Sequence, residues 1–352
     1  MNLLGIETSC DETAVAVLND RGEPLSDLLN HQFDLHSRFG GVVPELAGRR
    51  HVEVIGALVQ EALRQAGEPL RAIDGIAVTV GPGLIGALLV GVSFAKSLGY
   101  ALNVPVVPVH HLEGHISAVF LEGAEVVYPA VALVVSGGHT NLYLMSRRGS
   151  YRLLGQSIDD AAGEALDKAA ILLSLGYPGG AILDRLARSG DPGRISFPRP
   201  YRTLASWDFS FSGLKTALRH RLAKEAGPEE IQRILPDIAA SYQEAIVDVL
   251  VEKSVAAAEA FDAETIVVAG GVAANSRLRA RMAEACIERG VELLIPSPRY
   301  CTDNGAMIAM AGLMRFREGA FSGLDLNPRP DLELSSLMES PPGLPSTGGG
   351  GT

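Results

Sequence analysis

The sequence predicts an α/β protein built from a duplicated domain, and three observations carry that expectation. The chain opens with strand, polar turn, strand, turn and strand, from "LLGIETS" to "PLSDLLNHQFD", and then alternates helices with strands. The same order restarts at "PAVALVVSGGHTNLYLMSRRGSYRLLGQS" with hardly a letter in common, as expected of an internal repeat. Tight Gly-containing turns close strands in both halves, which suits layered helices and sheets.

Each element follows from its pattern. "TAVAVLND" closes on the turn Asp20-Arg21-Gly22. "PELAGRRHVEVIGALVQEALRQAG" has helical spacing, with Val52, Ile55, Leu58, Val59, Ala62 and Leu63 on one side and Gly67 as its stop. "IDGIAVTVGPG" is a buried-type strand, "LIGALLVGVSFAKSLGYAL" an apolar helix, and "VPVVPV" the next strand. In the second half helices begin near Ala161; "ETIVVAGG", a helix, "VELLIPSP" and a last helix follow. The stretch "SGDPGRISFPRPYRTLASWDFSFSG" is long for a plain loop, which marks it as functional or inserted. The expected domains are a lobe at 1–125, with part of the C-terminal helical region packing back on it, and a lobe at 126–325 carrying a basic insertion at 185–224. The Pro/Gly-rich residues 336–352 are expected to be disordered.

With 352 residues, 47% of them hydrophobic and 20% charged, the chain can bury two cores as a soluble protein. Glu7, Asp11 and Glu12 exclude a signal peptide. The apolar run Leu84–Val92 is too short and Gly-rich to span a bilayer, so no membrane role is expected. Three scattered cysteines (Cys10, Cys286, Cys301) give no disulfide framework and point to the cytoplasm. The net charge of −11 argues against a nucleic-acid partner. Its distribution argues the other way: Arg185 to Lys224 holds seven Arg and two Lys against Asp191 and Asp208, a net +7. Such a segment is either a polyanion site or a solvated helix face with a loop.

The motif "HHLEGH" places His111 and His115 four apart, one above the other on a helix, where two imidazoles can grip one ion. The other reading is a pair of solvated histidines bordering the apolar face of Leu112, Ile116, Val119 and Phe120. A zinc-protease reading fails. Its catalytic Glu directly follows the first His, whereas here Leu112 stands there and Glu113 lies about 200° around the wheel. Asp303, in "SPRYCTDNGAMIAMAGL", is either a helix cap or a third ligand, depending on whether the fold brings it to the His pair. Ser136, Gly137 and Gly138 in "LVVSGGHTNLYL" form a hairpin turn needing positive φ or a nest of N–H groups for an anion. "IETSCDET" holds the matching place in the first repeat, with hydroxyls from Thr8, Ser9 and Thr13 and carboxylates from Glu7, Asp11 and Glu12. Gly270-Gly271 precedes a helix whose N-cap is Asn275, suited to a phosphate or an adenine–ribose group. Asp167, Lys168, Gly179, Gly180 and Asp184 read locally as a solvated helix face and a turn, or as ribose contacts.

Taken together, "GIETSCDET", "HHLEGH", "VSGGHT", "DDAAGEALDKAA", "GYPGG", "FSFSGLK", "GGVAANSRLR" and "CTDNGAMIA" resemble the bacterial tRNA N6-adenosine threonylcarbamoyltransferases (TsaD, formerly glycoproteases), from about residue 2 to 325. The resemblance implies the actin-like ATPase and sugar-kinase fold, two ribonuclease-H-like domains around a cleft. It implies one divalent metal, usually iron, on His111, His115 and Asp303; zinc or manganese also suits these ligands. It implies substrate contacts from Val134, Val135, Ser136, Gly137 and Gly138, and from Asp167, Gly180, Asp184 and Asn275. The implied reaction moves a threonylcarbamoyl group from threonylcarbamoyl-AMP to N6 of the adenosine 3′ of the anticodon, in tRNAs reading codons that start with A. Asp11 or Glu12 would take the proton. A non-catalytic paralogue (TsaB) and an ATPase subunit (TsaE) are the implied partners. Arg185 to Lys224, with Arg49 and Arg50, is the surface that charge alone assigns to the tRNA phosphates. The rival readings are another carbamoyltransferase or a small-molecule kinase of the same fold, and a non-catalytic scaffold subunit.

Overall fold

β1 (Asn2–Glu7), β2 (Glu12–Asn19) and β3 (Pro24–His31) pair antiparallel, as their alternation requires. The turn after β2 is held by the Asn19 side-chain oxygen, which accepts from the amides of Arg21 and Glu23 at 2.9 and 3.0 Å. α1 (Phe33–His36) and α2 (Pro44–Ala66) lead to β4 (Gly75–Gly81), parallel to β1. α3 (Ile85–Leu102) leads to β5 (Val106–His110), parallel to β4, and α4 (His111–Ser117) follows at once. The sheet order is β3-β2-β1-β4-β5.

The second half repeats this strand for strand. β6 (Ala130–Val135), β7 (Thr140–Met145) and β8 (Arg152–Gln156) form the meander. α5 (Ala162–Leu172), α6 (Gly179–Ala187), α7 (Ser212–Leu222) and α8 (Pro228–Ala260) precede β9 (Thr265–Ala269), which joins β6 in parallel. α9 (Ser276–Arg289), β10 (Glu292–Leu294), α10 (Pro298–Cys301) and α11 (Gly305–Arg317) complete it. The order β8-β7-β6-β9-β10 matches the first sheet. Two ribonuclease-H-like sheets are therefore present, and the duplication expected from the patterns is real. This computed structural model describes residues 1–39, 41–176, 178–200, 206–224 and 227–335; the tail expected to be disordered lies outside the described residues.

Both sheets bury both faces, and period two decides which side chain goes where. In β6, Val131, Leu133 and Val135 face the core with α5, α8 and α9, while Ala130, Ala132 and Val134 face Leu112 and Ile116 of α4 and Val119 just after it. In the first sheet Ile6, Val15 and Val78 meet α2 and α3, while Leu3, Ala16 and Ala77 meet α11. The two halves thus exchange helices. α4 leaves the first sheet and packs on the second; α11 leaves the second and packs on the first. The exchange brings the end of β5 beside the start of α11. α11 lies so close to the sheet that a Cβ on Gly312 would overlap that of Ala77.

Two expectations need correction. Val52 is 65% exposed, and His51 points inward from α2 instead. The His51 ring is satisfied inside, 2.7 Å from the Thr13 hydroxyl and 2.9 Å from the Cys10 carbonyl, so counting histidine as polar misplaced the face. The apolar run also continues past Val92: α3 has 18 residues and is long and apolar enough, by length and composition, to cross a membrane. In this fold its Ala87, Leu88, Val92 and Ala95 are buried, and the helix packs against β4 and α2.

Candidate active site

His110 ends β5 and starts α4, its Nδ1 accepting from the Leu112 amide at 3.1 Å and its Nε2 donating to the Leu332 carbonyl at 2.9 Å. The first turn of α4 sets His111 and His115 edge to face, with ring centroids 4.7 Å apart and planes at 74°. Asp303 arrives from the turn between α10 and α11. Asn304, its neighbour, caps α11 by accepting from the Met307 amide at 2.7 Å. Asp303 is thereby free of the capping role and places Oδ1 3.2 Å from His115 Nε2 and 3.6 Å from His111 Nε2. One ligand atom from each of the three residues lies within 4.8 Å of the others.

This set fits a divalent metal. Both ring nitrogens of His115 are buried: Nδ1 has no partner, and Nε2 faces only the Asp303 carboxylate at 3.2 Å. An orphaned buried polar atom costs about 1–3 kcal/mol unless something outside the chain satisfies it. His111 is oriented for the same centre: its Nδ1 lies 3.0 Å from Glu7 Oε2 and 3.2 Å from the Ser9 hydroxyl. A carboxylate only accepts, so Nδ1 carries the proton and Nε2 is left for the ion.

Charge at the centre is strongly coupled. Burial opposes ionisation of His111, but the Asp303 and Glu7 carboxylates outweigh it and push His111 up to about 9. Burial likewise opposes the Asp303 and Glu7 charges, and the imidazoles hold both carboxyls below the usual range. Glu12 goes the other way: burial, then the carboxylates of Asp303 and Asp11, push it well above.

A cleft of about 700 Å³ opens beside the centre, lined from both halves. Asp11, Glu12, His111, Ser136, Gly137, Gly138, Asp167 and Asp303 line it, as the sequence led one to expect. The turn after β4 closes onto the first meander, where a Cβ on Gly83 would sit 2.5 Å from the Ser9 carbonyl. The turn after β6 is different. Gly137 and Gly138 do sit in the hairpin turn from β6 to β7, closed by the Ser136 amide on the His139 carbonyl at 2.8 Å, but neither has the positive φ expected of them. A Cβ on either would meet nothing within 4 Å, and neither N–H has an acceptor among the described residues. Both residues are exposed on the cleft lining.

Of the other expected contacts, Asp167 shares the cleft lining, while Val134, Val135, Gly180, Asp184 and Asn275 lie off it. Val134 and Val135 are buried strand residues. Asp167 Oδ1 accepts from the Gly180 amide at 2.8 Å, tying α5 to α6. Asp184 accepts from the Ser276 hydroxyl at 2.8 Å and from Arg188 at 3.0 Å. Asn275 caps α9 at 3.0 Å and donates to Gln243 at 2.8 Å. Arg188, Gln243 and Ser276, which Asp184 and Asn275 hold, line a second cavity of about 280 Å³. Glu7 as the partner of His111, and His139, Ile171 and Pro82–Leu84 as cleft lining, were not foreseen. His139 alone had a usable signal, standing directly after Gly137-Gly138.

The basic segment is only partly available. Arg188, Arg194 and Arg199 pair with Asp184, Asp237 and Asp248 at 3.0, 3.1 and 2.7 Å, and Arg202 lies outside the described residues. Arg49 and Arg50 pair with Glu45 and Glu53 on their own helix. On α7 and just beyond it, Lys215, Arg219 and Lys224 have no ion-pair partner among the described residues. The N-terminal turn of α7 is anchored by Asp159, which accepts from the Phe211 amide at 2.8 Å and the Ser212 hydroxyl at 2.7 Å.

Comparison with known proteins decides the family. The profile of the tRNA N6-adenosine threonylcarbamoyltransferases matches residues 23–310. The chain belongs to this family. A tRNA N6-adenosine threonylcarbamoyltransferase from Anaeromyxobacter sp. (strain Fw109-5) is 54% identical over 335 residues, covering 95% of this chain and 100% of the relative. One from Geotalea uraniireducens (strain Rf4) is 52% identical over 337 residues, covering 96% and 98%. Among solved structures, HypF from T. kodakarensis superposes with a TM-score of 0.59 at 16% identity, over 92% of this chain and 49% of its own. The Acidaminococcus fermentans (R)-2-hydroxyglutaryl-CoA dehydratase component A gives 0.55 at 16%, over 91% and 99%. These likenesses show the actin-like ATPase fold. As a threonylcarbamoyltransferase the chain is an enzyme that modifies adenosine in tRNA at N6, and the kinase and scaffold readings are not favoured.

Proposed function

We propose that the donor is threonylcarbamoyl-AMP, that the acceptor is N6 of adenosine 37 in tRNAs reading codons starting with A, and that AMP leaves. The observation that carries this reading is the His111–His115–Asp303 set, two buried imidazoles and a partly buried carboxylate with ligand atoms within 4.8 Å of one another. Those three residues would hold one divalent ion, with iron our choice; when bound it supplies a Lewis acid for the carbamoyl oxygen or a grip for the threonyl carboxylate.

The protein's own groups do the rest. The bare amides of Gly137 and Gly138 receive the departing phosphate at the turn. Asp167, Gly180, Asp184 and Asn275 shape the adenosine end, with Val134 and Val135 setting the strand that presents the turn. An aryl amine is a weak nucleophile, so its proton must leave as the bond forms. Asp11 and Glu12 are the acceptors we favour, and burial with the carboxylates of Asp303 and Asp11 makes Glu12 more proton-hungry than an ordinary glutamate. A loop adenosine is unpaired and can be turned into the cleft. Lys215, Arg219 and Lys224 are the cations we assign to tRNA phosphates. We further propose lobes at 1–125 and 126–325 with α11 returning to the first, a cytoplasmic location, and work in concert with the TsaB paralogue and the TsaE ATPase.

The test is transfer itself. The chain, with its partner subunits, is incubated with threonylcarbamoyl-AMP and unmodified tRNA, and the digested nucleosides are analysed by mass spectrometry. Modified adenosine without added ATP, lost in His111→Ala, supports the reading; ATP consumption on a sugar supports a kinase instead.

A further inference from the structure

Glu113 is the one charged residue of "HHLEGH" to which the chemistry assigns nothing, and it points away from the histidines. It is 5% exposed and Arg315 is 6% exposed. Arg315 Nε donates to Glu113 Oε2 at 2.7 Å, across the contact between α4 and α11. Beside it the two helices are pressed together: a Cβ on Gly114 would sit 2.6 Å from Ile308 Cδ1. Burying an ion pair is expensive, and an apolar pair of similar size is often as stable or more so. Stability alone is thus a poor reason for this pair. Direction is a better one, because a charged, directional hydrogen bond fixes how two helices slide and rotate on each other. These two helices are the ones that matter: α4 carries His111 and His115, and Asp303 stands two residues before α11.

We propose that Glu113 and Arg315 are positioning residues, whose buried ion pair sets the register of α4 on α11 and hence the spacing of His111 and His115 from Asp303 around the ion. The proposal rests on the metal reading of those three side chains. Groups that orient ligands from outside typically change metal affinity by about 10–100-fold when removed.

The experiment uses the full chain stripped of metal, with Co2+ as the probe. Affinity is read by competition with a chromophoric chelator, geometry by the visible Co2+ spectrum, and folding by Tm. Glu113→Gln, and the double variant Glu113→Leu/Arg315→Met, should bind Co2+ about 10–100-fold more weakly with an altered spectrum. The apolar double variant should keep a Tm close to wild type. Arg315→Lys, which keeps the charge but loses the planar fork, should fall between wild type and Glu113→Gln. Should Glu113→Gln not fold, Arg315→Lys carries the test by itself. Wild-type affinity and spectrum in every folded variant would overturn the proposal while leaving the metal site intact. Wild-type binding no tighter than that of His115→Ala would overturn the metal reading, and this inference with it.

Discussion

The two ends of the site treat their polar groups in opposite ways. At the His-His-Asp end, His115 is buried with no partner at Nδ1 and only the Asp303 carboxylate near Nε2, while the exposed amides of Gly137 and Gly138 have no acceptor among the described residues. At the far end, Asp167, Asp184 and Asn275 each have partners within the chain. A folded chain rarely leaves buried polar atoms unmatched, so the first end is shaped for something from outside. The second is shaped by the protein, and its residues hold helices together as well as forming a wall.

The largest effect that tests this contrast is His115→Ala. It should abolish bound metal and lower the turnover number by roughly a thousandfold or more, equivalent to about 4 kcal/mol. The Tm of the metal-free protein should also fall, because the buried ring leaves a cavity and its contact with Asp303 is lost. Retained activity in metal-analysed protein would erase the contrast.

Next comes acid. His110 shares the motif but behaves like the far end: it is 1% exposed, doubly hydrogen-bonded, and held neutral by burial, its pKa down to about 3. The unfolded chain takes up that proton below its ordinary value of 6.5 and the folded one does not, so stability falls as pH falls from 6.5 toward 3. Between pH 6.5 and 4.5 the loss should be roughly 2–3 kcal/mol. His110→Asn keeps a helix cap and removes the titration, so denaturant midpoints measured across that range should become flatter. An unchanged slope would assign the acid sensitivity elsewhere.

Smaller still is Asn275→Ala, which deletes a helix cap and strands Gln243. It should cost about 1 kcal/mol of stability, read from denaturant melts, and raise KM for the adenylate more than it lowers kcat. Its opposite is Gly138→Ala, where the added methyl has open space. Stability should stay within about 0.5 kcal/mol while KM rises several-fold. A stability loss in Gly138→Ala with normal KM would mean that the turn is structural, like the far end.

Much of this was legible beforehand. The meanders, the helix stop at Gly67 and the helix start at Asn275, and the apolar face of Leu112, Ile116 and Val119 follow from period and capping chemistry, which act over a few residues. Asp303 was ambiguous because a cap and a ligand look alike in one dimension; only the Asn304 cap separates them. Val52 and His51 were exchanged because the partners of His51, Thr13 and Cys10, lie about 40 residues away in the chain. Glu7 gave no sign of orienting His111, 104 residues on.

By itself the sequence determined the elements, their duplication and the kinds of side chain on offer, because those depend on neighbours within a turn or two. Tertiary structure alone decided which polar atoms are matched and which are left over. It did so by exchanging α4 and α11 between the sheets, which brings two histidines from one half within reach of an aspartate from the other. Hydrogen bonds and ligand sets depend on distances of a few ångströms, and only the packed chain defines such distances between residues far apart in sequence.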